Sequence, residues 1–467
     1  MMEGLQRYHE YKPSGLPWVG MIPSHWTLER LDRLFTLRNE QPQPGDERVT
    51  GYLDGRVTLR SNMAGQKIKG VVKEAGWQRV HPGDFAISGM NAHLGGMGVS
   101  DSLGKCSPIY LVLRPKVGTN ARFVSYAVRY AAHRGALKAL VQTIRFNSAD
   151  LKRDDLKRIW LWLPTSGEQV AIVRFLDYMS RRIRSHLRSK QKLVTLLNEQ
   201  KQAIVQRAVT RGIEGHGATQ ELGSTPPFVV NEHWTILRIA NVAHVRTEKN
   251  RPELDLLSVF LDRGVIQYSD GGGQVHKPSL DLTNYQVVHP GDLVLNNQQA
   301  WRGSVGVSKY EGIISPAYFV LVLSPTLFAP FADYLFRSQV MVSQFLTSSK
   351  GVGDIQRDVY FPWLKSAKVP VPPVEEQRSI AAFLDSELAS VDAQISRHSR
   401  EISLLQEYRD SLTSDVITGR LDVREAASEL EEGIAGEPDE GFDAQADDDP
   451  SDIEMDEEDA DPEEAKA

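Results

Sequence analysis

The sequence predicts an α+β protein: two tandem α/β domains separated by long antiparallel coiled-coil helices, the whole forming a pseudo-twofold internal repeat. Three observations carry that prediction. The tetrapeptide HPGD occurs at His81–Asp84 and again at His289–Asp292, an offset of 208 residues. The same offset recovers matches along both halves: HWTLERL from His25 with HWTILRI from His233, SPIY from Ser107 with SPAY from Ser315, and EQVAIVRFLD from Glu168 with EQRSIAAFLD from Glu376. Solenoid units run about 20–50 residues, so units this long are duplicated domains. Finally, each copy ends in a long stretch whose apolar residues recur every three or four positions.

In chain order, YKPSGLPWVGMIPSHW is a lead-in whose Trp26, like Trp234 in the second copy, is expected to anchor it on the domain. Globular parts run from about Trp26 to Pro164 and from Trp234 to Pro373. HPGD reads as a turn that launches a strand, GDFAIS or GDLVLN, with the alternation of one. IYLVLRP and YFVLVLSP read as strands ended by proline. Ala121–Val141 and Phe331–Leu346 have helical spacing.

The terminal stretch of the first copy carries Ile172, Leu176, Met179, Ile183, Leu187, Val194, Leu197, Ile204 and Ala208 on one stripe; Ile380, Leu384, Val391, Ile395, Ile402, Leu405, Leu412 and Val416 repeat it. Spacing of this kind is a coiled-coil seam. About 42 residues at 1.5 Å each make a helix roughly 60 Å long, too long to bury its stripe on one domain, so the two helices are expected to pair antiparallel with the domains at opposite ends. Glu199, Lys201 and Arg207 are expected to lie off that seam. The resulting division is 1–164, 165–212, 213–373, 374–424 and 425–467.

Charge points to a polyanionic partner. Residues 431–467 hold 18 acidic side chains against one lysine, so the net charge of −7 leaves +10 on the first 430 residues. The acidic stretch has the composition of a disordered tail; the basic remainder suits nucleic acid. Cys106 is the sole cysteine, which excludes a disulfide framework and points to the cytoplasm. The N-terminal stretch has no signal-peptide core, and Pro325, Pro330 and Asp333 interrupt the one long apolar run, so no membrane partner is expected.

Catalytic motifs are missing. TPPF at Thr225–Phe228 lacks the amide or carboxylate that an adenine methyltransferase uses to hold a flipped base. GGGQVH at Gly271–His276 lacks the lysine and hydroxyl of a phosphate loop. No histidine spacing suggests a metal site.

The lead-in KPSGLPWVGMIPSHWTLERL, followed by PPVEEQRSIAAFLD, a long amphipathic helix and VITGRLDVR, resembles the DNA-specificity subunit of type I restriction–modification systems over nearly the whole chain before the acidic tail. The resemblance implies two target-recognition domains, each reading half of a split, asymmetric double-stranded DNA site. It implies helical regions that bind modification (methyltransferase) subunits, two of them expected, and association with restriction (motor–nuclease) subunits. This chain would then be non-catalytic and without cofactor, with S-adenosylmethionine, ATP and Mg on the partners. PTSGEQ at Pro164, where the second copy has PPVEEQ, and the acidic tail depart from the family pattern. A stand-alone DNA-binding regulator, a methylation-only complex and a protein-recruiting scaffold are the rival readings.

Base reading needs Arg or Lys on guanine and Asn or Gln on adenine, carried on loops. Three loop pairs qualify, and they diverge between copies where their flanks agree. The first holds Arg60, Asn62, Lys67 and Lys69, facing Gln274 and Lys277; the second holds Asn91 and His93, facing Asn296, Asn297, Gln298, Gln299 and Arg302. The third holds Arg145 and Asn147, facing Lys350, Gln356 and Arg357. The four consecutive amides of the second copy suggest no structural use.

Overall fold

The computed structural model describes residues 5–63, 75–140, 144–145, 148–149, 151–214, 218–222, 227–261, 263–271, 278–352 and 356–430. The acidic tail and the central part of GGGQVH lie outside them. Two compact units emerge: one combines residues up to His186 with those from Leu404 onward, the other spans Leu187–Ser403. Four helices matter below: α1 (Ala121–His133), α2 (Ser166–Arg211), α3 (Ala329–Arg337) and α4 (Val374–Ile417).

Each unit is built on a four-stranded antiparallel sheet, and the duplication is visible residue by residue. In the first unit the strand order is Phe35–Leu37, Tyr110–Pro115, Phe85–Ser88, Met97–Val99; in the second it is Ala243–Val245, Tyr318–Leu323, Leu293–Asn296, Val305–Val307. Tyr110 pairs with Ser88, and Tyr318 with Asn296. A separate two-stranded ribbon joins Thr27–Arg30 to Trp160–Leu163, and Thr235–Arg238 to Lys368–Val371. It delivers the chain to the long helix.

The strands after HPGD depart from the expected alternation. Phe85, Ala86, Ile87 and Ser88 are all buried, as are Leu293, Val294 and Leu295. Phe85 and Ile87 face the main core with Trp26, Trp162 and Phe123. Ala86 faces a second small core, with Val49, Val57 and Val112, beneath the hairpin Val49–Gly51/Val57–Leu59. A hairpin laid over the sheet removes the solvent face that alternation presupposes.

Two helical predictions are also shortened. The helix expected over Ala121–Val141 breaks after His133, where Gly135 takes φ +78°, and resumes over Ala136–Leu140. Glycine tolerates that left-handed conformation at a helix end. Its counterpart breaks at Ser338, which is extended (ψ 158°) and donates its hydroxyl to Leu335 O at 2.6 Å; the next helix is Gln339–Thr347.

The HPGD turn is structural, and its aspartate is the reason it recurs. Asp84 is buried and accepts two hydrogen bonds from Arg38, at 2.6 and 2.9 Å, and one from His81 N at 2.8 Å. Asp292 accepts the same set from Arg246 (2.6 and 2.8 Å) and His289 N (2.8 Å). Gly83 and Gly291 turn the chain at φ +88° and +93°.

At the start of the long helices, Glu168 and Glu376 accept from the indoles of Trp26 and Trp234, while Gln169 and Gln377 donate to Pro164 O and Pro372 O. The EQ pair thus locks each helix onto its lead-in tryptophan. In the first copy Thr165 and Glu168 also form a reciprocal cap, so PTSGEQ replaces the proline of PPVEEQ with a capping box. In the first unit Ile172 and Leu176 of α2 share a core with Leu412, Val416 and Ile417 of α4. Trp162 donates its indole to Ile417 O at 2.6 Å, and Tyr11 its hydroxyl to Gly419 O at 3.1 Å. Asp422 N donates to Gln6 O at 2.8 Å, so segments that precede and follow the second unit meet here.

Within the second unit the two helices run antiparallel, since Lys190 pairs with Glu401 and Lys201 with Asp392. Lys201 is therefore part of the pairing between helices, contrary to the expectation that it lies off it; a flexible lysine stem reaches round the seam. Hydrogen bonds from Lys190, His398 and Arg397 pull Glu401 down to about 2. A depressed carboxylate stabilises the fold above its unfolded value, and that contribution is lost as the pH falls toward 2. Lys190→Met is expected to flatten the loss of helix stability between about pH 4.5 and 2, followed by far-UV circular dichroism; an unchanged acid limb would count against the pair.

Candidate nucleic-acid interface

In the second unit the strand Leu293–Asn296 ends in the amide run, and the run has a structural use after all. Asn296 Oδ1 accepts from Gln298 N at 3.0 Å, and Gln299 caps the single turn Ala300–Arg302, its carbonyl accepting from Arg302 N and Ser304 N. Asn297 N donates to Ala317 O, while its buried Oδ1 has no hydrogen-bond partner among the described residues. Gln298 and Arg302 are exposed.

The hairpin Ser349–Val352/Gln356–Val359 is tied to this loop: Val359 N donates to Asn297 O at 3.0 Å. Lys350 and Arg357 lie on opposite strands of it. Cations and rings then alternate across the loop and the hairpin. The Arg302 guanidinium sits 4.6 Å from the Trp301 ring and that of Arg357 5.8 Å from it. Lys350 lies 3.2 Å from the Tyr360 ring and 5.1 Å from that of Trp363, which is half exposed. Aromatic faces beside cations are suited to polyanions bearing stackable rings.

The first unit repeats the framework with different chemistry. Leu151 N donates to Gly89 O at 3.3 Å, at the positions of Val359 and Asn297. His93 stands where the second copy has Trp301, and the turn Arg153–Arg158, with three basic residues, stands where Phe361–Leu364 does. Burial, aided by Lys138, lowers the His93 pKa. Asn91 is half-buried; its carbonyl accepts from Leu94 N and Gly96 N. Arg60 and Asn62 occupy the turn after Val57–Leu59, with Asn62 Nδ2 donating to Thr58 Oγ1 at 2.9 Å. Arg60 N donates to Arg48 O, as Tyr268 N does to Leu256 O in the second copy.

The second and third loops of each copy are thus brought together, and the first follows the hairpin covering the sheet. Lys67, Lys69, Asn147, Gln274 and Lys277 lie outside the described residues, as do the side chains of Arg145 and Gln356. Trp301, Tyr360 and Trp363 were missed by a search for base-pairing side chains; basic residues alternating with aromatic ones near loop ends were the available signal. Among the described residues no cluster of His, Cys, Asp and Glu is arranged to hold a metal ion, and no helix is long and apolar enough to cross a membrane.

The MjaX type I restriction enzyme specificity subunit of Methanocaldococcus jannaschii is 22% identical over 428 residues, covering 87% of this chain and 96% of its own length. The MjaVIII type I restriction enzyme specificity subunit of the same organism is 22% identical over 438 residues, covering 86% and 94%. A chain solved in work on the assembly and conformational transition of the type I restriction–modification system aligns with a TM-score of 0.61 at 16% identity, covering 86% of this chain and 99% of that one. Over most of its length the chain is similar to type I restriction enzyme specificity subunits. No protein-family model matches it.

Proposed function

We propose that the chain reads a bipartite, asymmetric site in double-stranded DNA and directs adenine methylation and restriction by partner subunits. The observation that carries this is a duplicated framework, matched down to its hydrogen bonds, that presents different side chains at the same places: Trp301 and Arg302 against His93 and Leu94, and Trp363 against Asp155. A stand-alone regulator binding a palindrome would need like loops.

In this reading Arg60, Asn62, Asn91, His93, Gln298, Arg302, Lys350 and Arg357 contact bases or phosphates. Lys67, Lys69, Arg145, Asn147, Gln274, Lys277 and Gln356 complete the two surfaces, while Asn296, Asn297 and Gln299 shape the turn that presents Gln298 and Arg302. Trp301 and Trp363 hold the cations in place. The long helices recruit two modification subunits, which bring S-adenosylmethionine, and motor–nuclease subunits bring ATP and Mg; the chain itself binds no cofactor and acts in the cytoplasm.

Binding should weaken steeply with salt, since each phosphate neutralised adds nearly one to the logarithmic slope. Lys350→Ala is expected to lower that slope by about one while leaving sequence preference intact. Fluorescence anisotropy of the complex on its methylation site, titrated with salt, measures it. A salt-independent interaction would sink the proposal.

A further inference from the structure

Helix α1 spans the distance from α2 to the loops assigned to DNA. Near its start, Tyr126 donates to Asp177 of α2 at 2.9 Å, and Arg122 pairs with the same carboxylate at 3.1 Å. One turn further on, Arg129 Nη2 donates to Leu53 O at 2.9 Å. Its guanidinium fills the place of a side chain at Gly55: a Cβ there would lie 2.2 Å from Nη1. Gly55 itself has φ +92°. From the other side, Gly98 presses on the turn, since a Cβ at 98 would lie 2.1 Å from Gly55 O. The turn Leu53–Gly55 is therefore clamped between a planar cation and a bare strand. It leads directly into Val57–Leu59 and the turn carrying Arg60 and Asn62. One more turn along α1, His133 lies against Gly95, 3.1 Å from where its Cβ would be, at the end of the loop bearing Asn91 and His93.

The second copy has a looser relative of this arrangement, in which Arg337 pairs with Asp333 at 3.5 Å. Tyr334 of α3 donates to Asp385 at 2.6 Å, Arg337 lies 3.6 Å from the Cβ position of Gly264, and Val342 lies 3.7 Å from that of Gly303. Gly303 is the counterpart of Gly95.

We propose that Arg129 is a positioning residue for base reading by the first unit: it fixes the Leu53–Gly55 turn, and through it the side chains that meet the half-site. The inference rests on the DNA-reading function proposed above. Stability alone does not account for the arrangement. Burial lowers the Arg129 pKa and its Nε has no hydrogen-bond partner among the described residues, so desolvation of the cation works against any gain in stability. What a planar, hydrogen-bonded group supplies is a fixed geometry, and a recognition side chain must be held to within about 0.5 Å.

The test uses the full chain assembled with its modification subunits, and DNA libraries randomised in one half-site at a time. Arg129→Met keeps the stem and removes the fork. It is expected to lower discrimination at one half-site by about tenfold, to leave the other unchanged, and to keep the melting temperature within a few degrees of the wild type. Gly55→Ala displaces the guanidinium from the opposite side and should give the same one-sided loss, with the double variant no worse than either single one. Arg337→Met should relax only the other half-site. Equal weakening at both half-sites, or no change in either variant, overturns the inference while the DNA-reading assignment stands. A wild-type complex with no two-part preference overturns both.

Discussion

Asp292→Ala is expected to unfold the second unit at temperatures where the wild-type chain is intact. The carboxylate is 3% exposed and accepts both arms of Arg246 as well as His289 N, so it fastens an edge strand and a turn to the central strand that follows. Removing one partner of a buried pair leaves the other charge uncompensated, a cost of about 3–5 kcal/mol. A domain of this size has only about 5–15 kcal/mol in hand. Asp292→Asn keeps the shape and should lose most of the same energy, which separates charge from packing. Limited proteolysis over a temperature ramp should release fragments from residues 235–371 first, while the first unit, held by Asp84 and Arg38, resists. Asp84→Ala should reverse that order. A variant that melts with the wild type would show that the turn, not the ion pair, holds the sheet.

Exchange of residues 27–163 for the equivalent segment of another specificity subunit should replace one half-site entirely and leave the other unaltered base for base. Each unit has its own core: Trp26, Trp162 and Phe123 in one, Trp234, Phe331 and Phe345 in the other, with no residue in common. Each mismatched base pair costs about 1–3 kcal/mol, so three changed pairs shift preference by roughly a hundredfold or more. Methylome sequencing of cells carrying the chimera reads both half-sites at once. If both change together, the units do not read independently.

Much of the fold was legible because the duplication acts as an internal control. One offset aligned turn, strand and helix, and structural pairs shared by both copies follow it: Arg38–Asp84 with Arg246–Asp292, Tyr126–Asp177 with Tyr334–Asp385. Arg38 and Arg246 stand at the same offset, but a lone arginine after a strand gives no sign of a partner 46 residues away. The burial of Ala86 and Val294 was not legible, because the hairpin that covers them is a tertiary event. The helix breaks were only half so: Gly135 is a visible stop, whereas Ser338 ends a helix by bonding its own preceding turn. Of the proposed contacts, Arg302 and Lys350 sit on exposed edges as their loops suggested. Asn296 turned inward because an amide after a strand can satisfy the turn as readily as it can meet a base.

The first unit needs segments on either side of the second, and this orders events on the ribosome. Residues Leu187–Ser403 are contiguous and can close their core as soon as they emerge. The earlier sheet has Trp26 and Trp162 in place long before it has Leu412, Val416 and Ile417, which complete its core. It must wait, incomplete, through the synthesis of more than 200 residues between Trp162 and Leu412. The domain written second is therefore the one finished first. A transcript that stops short of Leu412 would yield a sound second domain and a first domain with an open, apolar flank, a substrate for chaperones and proteases. The cell thereby obtains a check on completeness: a chain can display both of its folded domains only after translation has passed the last turns of the second long helix.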